Sequence, residues 1–288
     1  MPLIEKICVL GAGNMGHQIA LSAALAGYQV KCMDVDTKAL DKARNFVEKY
    51  LPERVAKGKL DEETANMART GLSFTEDLKI AAGDADFVIE AVLEKLDLKR
   101  KIFLELDKIC PAHTILTTNS SYIVSSKIAD ITGRPGKVCN MHFFNPALVM
   151  KLVEVVKGPH SSDETIQVTM EVSKKMGKTP VLLNKEIYGF LVNRILTAIR
   201  NEALFLYDMD IASFADIDTA VENALGHPMG PFKLLDLTGI DLNYHICTER
   251  YRETQNPVHK PSSIIVEKYI KKEWGRKTGK GFYDYASK

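Results

Sequence analysis

The sequence has no run of apolar residues approaching the roughly 18 that cross a bilayer, and no leader pattern precedes what reads as a first strand at Ile7. It has no excess charge of one sign either. Thirty-eight Lys and Arg stand against 37 Asp and Glu, a formal net charge of +1, which gives no reason to expect nucleic acid or an acidic membrane as partner. Any polyanionic ligand must then be held by a local basic patch. The five cysteines, Cys8, Cys32, Cys110, Cys139 and Cys247, are odd in number and widely spaced, with no CxxC or Cys/His ligand pattern. That argues against a disulfide framework and against a metal site. Cys8 and Cys32 fall in apolar strand-like runs, where cysteine acts as a small hydrophobe, and all five are expected to be reduced thiols in a cytoplasmic protein. Internal repeats and low-complexity tracts are absent.

What is present is ordinary globular material, 45% apolar and 26% charged over 288 residues, a length that favours two domains. The stretch from Ile4 to Asp34 organises the rest. An apolar run, Ile7 to Leu10, enters a turn containing Gly11, Gly13 and Gly16; a helical pattern follows, then a second strand-like run, Gln29 to Met33, and Asp34. Gly11 permits the tight turn, Gly13 lets backbone N–H groups approach a pyrophosphate, and Gly16 lets helix and strand pack closely. The phosphates would then meet the helix N-terminus, where unpaired N–H groups and the dipole favour an anion. Asp34 lies 18 residues after Gly16, close to the roughly 20 expected for the acid that binds a ribose 2′-hydroxyl. No arginine follows at Val35, Asp36 or Thr37 to welcome a 2′-phosphate, so the expected cofactor is NAD.

From Thr37 to about Asn66 the pattern is helical, interrupted near Pro52 and Gly58, and it carries Lys42, Arg44, Lys49, Arg54, Lys57 and Lys59. A plain Rossmann unit reaches its third strand sooner, so this is an inserted helical pair, and by itself its charge reads as a solvated face. Strands and helices then alternate to about residue 186, which argues for a mostly parallel sheet covered on both faces. From Gly189 the strand signal ends. Phe190 to Tyr207, Phe214 to Leu225, Phe232 to Tyr251 and Ile264 to Lys272 read as helices. The expected architecture is α/β: a Rossmann-like cofactor domain over 1–186 and an all-α domain over 187–288.

Active residues in such sheets sit past the carboxyl ends of strands. His142 and Ser121 lie at two such ends, and Glu154 interrupts the otherwise apolar Leu152–Val156. A carboxylate inside so apolar a strand is costly without a partner, and an imidazole is the obvious one. A His–Glu pair suits alcohol oxidation, in which a base must take the proton while a nicotinamide takes the hydride. Ser121 lacks a nucleophile elbow and reads as a hydroxyl donor to substrate oxygen.

Over essentially its whole length the chain resembles a short-chain L-3-hydroxyacyl-CoA dehydrogenase of the 3-hydroxybutyryl-CoA dehydrogenase type. The resemblance rests on GAGNMG at 11–16, EAVLEKL at 90–96, TNSS at 118–121, MHFFNPALVMKLVEVV at 141–156, GFLVNR at 189–194, HPMGPF at 227–232 and GRKTGKGFYDY at 275–285. It implies reversible NAD-dependent oxidation of an (S)-3-hydroxyacyl-CoA, with the four-carbon ester as expected substrate. It makes His142 the general acid or base and Glu154 its partner, with Ser121 and Asn193 positioning substrate oxygens. Gly11, Gly13, Asn14, Met15, Gly16, Asp34, Glu94, Asn119 and Asn145 become cofactor contacts, and Lys57 a contact to coenzyme A phosphate. It also implies a homodimer or higher homo-oligomer built through the C-terminal helices. Three residues depart from the family pattern: Lys95 where asparagine is usual, Tyr122 in place of a small hydroxyl residue, and Tyr188 where proline is common. The rival readings are a dehydrogenase of a small free hydroxy acid or sugar acid, which would be indifferent to coenzyme A, and a non-catalytic NADH-binding protein, which would have no need of the four polar residues.

Overall fold

The computed structural model describes residues 3–286, and the chain divides between Leu191 and Val192 into two compact units. The first is built on an eight-stranded sheet of β1 (Lys6–Leu10), β2 (Gln29–Met33), β3 (Leu72–Thr75), β4 (Phe87–Glu90), β5 (Ile115–Thr118), β6 (Val138–Phe143), β7 (Leu152–Val156) and β8 (Thr179–Leu183), in the order β3-β2-β1-β4-β5-β6-β7-β8. All neighbours run parallel except β6 and β7. The strand order reverses at β1, which places a crevice beyond the carboxyl ends of β1 and β4.

Two-residue periodicity sorts the buried strand residues between two cores. Ile7 and Val9 of β1 enter one with Phe87 and Ile89 of β4, while Cys8 and Leu10 enter the other with Val88. The first core is closed by helices Gly16–Leu25, Thr37–Ala56, Glu62–Gly71 and Asp163–Lys175. The second is closed by Leu78–Ala82, Leu96–Ile109 and Ser126–Ala129. The fold class is therefore the expected one, a mostly parallel Rossmann-type sheet followed by helices.

Two helix boundaries differ from expectation. Pro52 does not interrupt the inserted pair: the first helix runs through it to Ala56, because only four helical residues follow and the lost N–H costs a single bond near the end. The turn is made instead at Gly58, whose φ of 63° is left-handed, and Asp61 then caps the second helix by accepting from Thr64 N–H. In the second unit, the span Phe232 to Tyr251 is two helices, Pro231–Thr238 and Ile240–Thr254. Gly239, at φ 104°, breaks it, a conformation that side chains rarely adopt.

The second unit also contains helices Val192–Asp208, Phe214–Leu225 and Ser263–Ile270 around Leu204, Ile217, Phe232, Leu235, Ile240, Ile265 and Phe282. Two buried acids tie its last residues down. Asp236 accepts from the N–H groups of Phe282 and Tyr283, both at 2.9 Å, and Asp218 accepts from Phe232 N–H and the Tyr283 hydroxyl, both at 2.8 Å. Gly275 and Gly281 are required there because a Cβ on either would collide with Asp236. This is the physical content of the glycine-rich GRKTGKGFYDY segment.

Candidate active site

The antiparallel register of β6 and β7 sets His142 directly opposite Glu154, so the two side chains leave the same face of the sheet. His142 Nδ1 lies 2.8 Å from Glu154 Oε2, and His142 Nε2 lies 3.0 Å from Ser121 Oγ, just past the end of β5. Both partners are buried, Glu154 completely. A carboxylate can only accept, so its contact fixes the proton on Nδ1 and leaves the Nε2 lone pair facing Ser121. Glu154 Oε1 is in turn held by Leu191 N–H at 2.9 Å. The imidazole packs between the rings of Phe144 and Phe190, at 4.7 and 5.4 Å between centroids. These contacts fix the tautomer and orientation of an imidazole in dry surroundings.

The glycine turn has the shape of a phosphate cradle. A Cβ on Gly16 would meet the Gly11 carbonyl and one on Gly11 the Ala91 carbonyl, whereas beside Gly13 nothing lies within 4 Å. The first two glycines thus answer close packing, and the third faces open space at the start of helix Gly16–Leu25. Asp34 follows β2 and braces this turn: its Oδ2 accepts from Ala12 N–H at 2.7 Å and its Oδ1 from Asp36 N–H at 3.0 Å. Asn14 Nδ2 donates to Asn145 Oδ1 at 3.1 Å, joining the glycine turn to the loop after β6. Met15 stands between them and the helix, partly buried against the first core. Asn119 Oδ1 accepts from Phe143 N–H at 2.8 Å and so ties the end of β5 to the end of β6, one residue from His142.

A second polar cluster lies at the ends of β4 and β5, and sequence reasoning passes over most of it. Glu90 and Lys99 are both fully buried, with Lys99 Nζ 2.6 Å from Glu90 Oε1. Glu90 also accepts from Val92 N–H at 2.8 Å and from the Thr118 hydroxyl at 2.6 Å. Lys99 reaches Glu94 Oε2 at 3.3 Å, and Glu94 Oε1 accepts from the Ser120 hydroxyl and from Tyr122 N–H. Glu94 is therefore oriented from behind by a buried ammonium, next to the Ser121 segment. The signal for Glu90 is in the sequence: it is a carboxylate in the otherwise apolar run 87–93, the feature that singles out Glu154.

Lys57 ends the helix Thr37–Ala56 with its side chain exposed, and Lys59 beside it is exposed as well. Asn193 lies in the first turn of helix Val192–Asp208, within the second unit. His142, Glu154, Ser121, Asn119, Asn14, Asn145, Asp34 and Glu94 all belong to the first unit. No helix among the described residues is long and apolar enough to cross a membrane.

Comparison with known proteins places these features among relatives. The model of the 3-hydroxyacyl-CoA dehydrogenase NAD binding domain matches residues 6–187, and that of the 3-hydroxyacyl-CoA dehydrogenase C-terminal domain matches 189–285. A probable 3-hydroxybutyryl-CoA dehydrogenase of Bacillus subtilis is 39% identical over 286 residues, 99% of each chain. The mitochondrial hydroxyacyl-coenzyme A dehydrogenase of Homo sapiens is 37% identical over 290 residues, 98% of this chain and 92% of its own. The solved structure of the (S)-3-hydroxybutyryl-CoA dehydrogenase from Ralstonia eutropha superposes with a TM-score of 0.91 at 35% identity, covering 98% of this chain and 99% of that one.

Proposed function

The chain belongs to the 3-hydroxyacyl-CoA dehydrogenase family, and from that premise we propose that it interconverts (S)-3-hydroxyacyl-CoA and 3-oxoacyl-CoA with NAD(H), acting on the four-carbon ester. It is an oxidoreductase of the CH–OH group. The observation that carries the reading is the relay Ser121–His142–Glu154, with its contacts of 3.0 and 2.8 Å and its His–Glu half buried.

In the oxidising direction, His142 Nε2 takes the proton of the 3-hydroxyl; in the reducing direction the imidazolium returns it to the developing alkoxide. Glu154 stabilises the charged imidazole, the role of the acid in a catalytic triad. Ser121 donates to the same oxygen and orients it, and Asn193 is assigned a second donor role on the substrate. Donors fixed in advance act most strongly where charge develops, and the differential effect is what lowers the barrier. When bound, NAD supplies the hydride acceptor. The cradle at Gly11, Gly13, Asn14, Met15 and Gly16 would hold its pyrophosphate, Asp34 its adenosine ribose, and Glu94, Asn119 and Asn145 its nicotinamide end. The choice of NAD over NADP is supported by the Asp34 carboxylate at the end of β2, which would repel a 2′-phosphate.

Lys57 is assigned to the phosphates of coenzyme A. Lys57→Ala should raise KM for acetoacetyl-CoA and leave kcat nearly unchanged, because contacts remote from the reacting carbon contribute uniform binding. Association of copies through the second unit is supported by its exposed Ile195, Phe205, Met209, Ile211 and Leu225; a monomeric mass in solution at micromolar concentration would exclude it.

The test of the activity is NADH oxidation followed by absorbance with acetoacetyl-CoA and with free acetoacetate. Turnover of the thioester far above that of the free acid is expected. Equal turnover of the two would favour a free-acid dehydrogenase, and none with either would favour a cofactor-binding protein without this chemistry.

A further inference from the structure

Two chain segments touch the catalytic imidazole from different directions. One supplies Ser121, whose hydroxyl meets Nε2; the other supplies Phe190, whose ring lies 5.4 Å from the imidazole. Each carries a tyrosine just beyond its contact, Tyr122 on the first and Tyr188 on the second. Their rings meet, with centroids 4.8 Å apart and planes inclined by 32°. The pair therefore closes a circuit around one side of the relay, running His142, Ser121, Tyr122, Tyr188, Phe190 and back to His142.

Both supports of this bridge are firm. Tyr122 N–H is anchored on Glu94 Oε1 at 3.2 Å, and Glu94 is held by buried Lys99. On the other side Gly189 and Phe190 both have left-handed backbones, φ 74° and 50°, and Leu191 N–H is tied to Glu154. Two aromatic rings in contact are large and stiff, with only two side-chain torsions each. They begin one residue from the serine that shares the reacting oxygen with His142, a Cα step of roughly 3.8 Å. Ile123 packs against the second core and Ile187 is exposed, so it is the two rings themselves that offer apolar surface here, and such a surface suits a hydrocarbon better than the amide-rich arm of coenzyme A.

Resting on the activity proposed above, we infer that Tyr122 and Tyr188 together form the wall that stops the acyl chain beyond the oxidised carbon, making this a site for short-chain 3-hydroxyacyl-CoA. The two rings act as one element, since each packs against the other.

The experiment measures kcat/KM for 3-oxoacyl-CoA esters of four, six and ten carbons with NADH, in the full-length wild type and in Tyr122→Ala, Tyr188→Ala, the double variant, Tyr122→Phe and Tyr188→Phe. The wild type should lose efficiency steeply from four to ten carbons. Either alanine variant should raise the ten-to-four-carbon ratio by about tenfold or more, within the roughly 10- to 200-fold by which one methylene is discriminated in an apolar pocket. The double variant should do little more than the better single one, and the phenylalanine variants, which keep the rings, should retain the wild-type profile. A flat wild-type profile, or alanine variants that scale all three esters equally, would overturn the wall while leaving the dehydrogenase reading intact. Absence of wild-type turnover with every ester would remove that reading and the wall with it.

Discussion

His142 and Glu154 are cross-strand neighbours on the antiparallel seam between β6 and β7, and their 2.8 Å contact is buried on both sides. The seam is where the sheet departs from the parallel pattern of its other strands, so the pair occupies adjacent strands running in opposite directions. A loop need not place either residue, and the geometry inherits the stiffness of the sheet.

Removing the imidazole should therefore damage turnover without damaging the cofactor site. His142→Gln is expected to lower kcat by roughly the 10²–10⁴ that general acid–base catalysis contributes. NADH affinity, measured by fluorescence titration, should hardly change, since the glycine cradle and Asp34 lie on other strands. Glu154→Gln should be similarly severe. Near-wild-type turnover in either variant would make the pair structural.

Asp34 braces the glycine turn, and the proposed function gives it the cofactor's ribose as well. Catalytic efficiency with NADH should exceed that with NADPH, and Asp34→Asn should narrow the ratio, because an amide no longer repels a 2′-phosphate. Asparagine can still accept from Ala12 N–H, so the turn it braces should survive. Equal efficiency with the two cofactors in the wild type would remove Asp34 from this role.

The Glu90–Lys99 pair offers a test by stability. Lys99→Met leaves Glu90 as an unpaired buried charge and should cost about 3–5 kcal/mol in denaturant unfolding. Combining it with Glu90→Gln removes that charge while keeping an acceptor for Val92 N–H, so the double variant should recover much of the loss. A single variant as stable as the wild type would mean that the ammonium and carboxylate are not coupled.

Acid stability should depend in part on Asp84. Its carboxyl is held below its ordinary 3.8 chiefly by the hydrogen bond from Lys31, which outweighs the opposing effect of burial, with a smaller contribution from the hydrogen bond of Lys6. A depressed folded-state value contributes stability above the unfolded pKa, and that contribution disappears as pH falls through the folded value. Asp84→Asn should therefore be slightly less stable than the wild type at pH 7 and lose correspondingly less below about pH 4, the two curves converging in acid, with a small gap throughout because an exposed pair is worth little. Thermal melts of both proteins from pH 7 to pH 2 measure this; parallel curves would exclude it.

Much of this is legible in the residues alone, and the limits are physical. The glycine spacing and Asp34 describe a local strand, turn, helix and strand, so short-range sterics suffice to place them. Glu154 betrays itself by the cost of a carboxylate among valines, and its partner follows from chemistry. Glu90 gives the same signal more faintly, since it ends its strand where Glu154 interrupts one, and Lys99 gives none: a lysine on a charged helix looks solvated until the fold buries it. Gly239 resembles any tolerated helical glycine until its φ is known. That Tyr122 and Tyr188, two of the residues departing from the family pattern, touch each other is a tertiary fact that no local pattern carries.

The opposed register of β6 and β7 also governs which insertions and deletions the chain can survive. The flanking residues Val153 and Val155 are fully buried on the other side of the strand, so a one-residue slip of β7 presents the imidazole with a valine and sends the carboxylate into the apolar core. A length change in either strand is thus paid for twice, in packing and in proton transfer. In the connection between the strands Phe144 packs on the imidazole and Asn145 is tied to Asn14, so the same change can be absorbed only further on, around the exposed Val149 and Met150, as long as the pairing beyond it is kept.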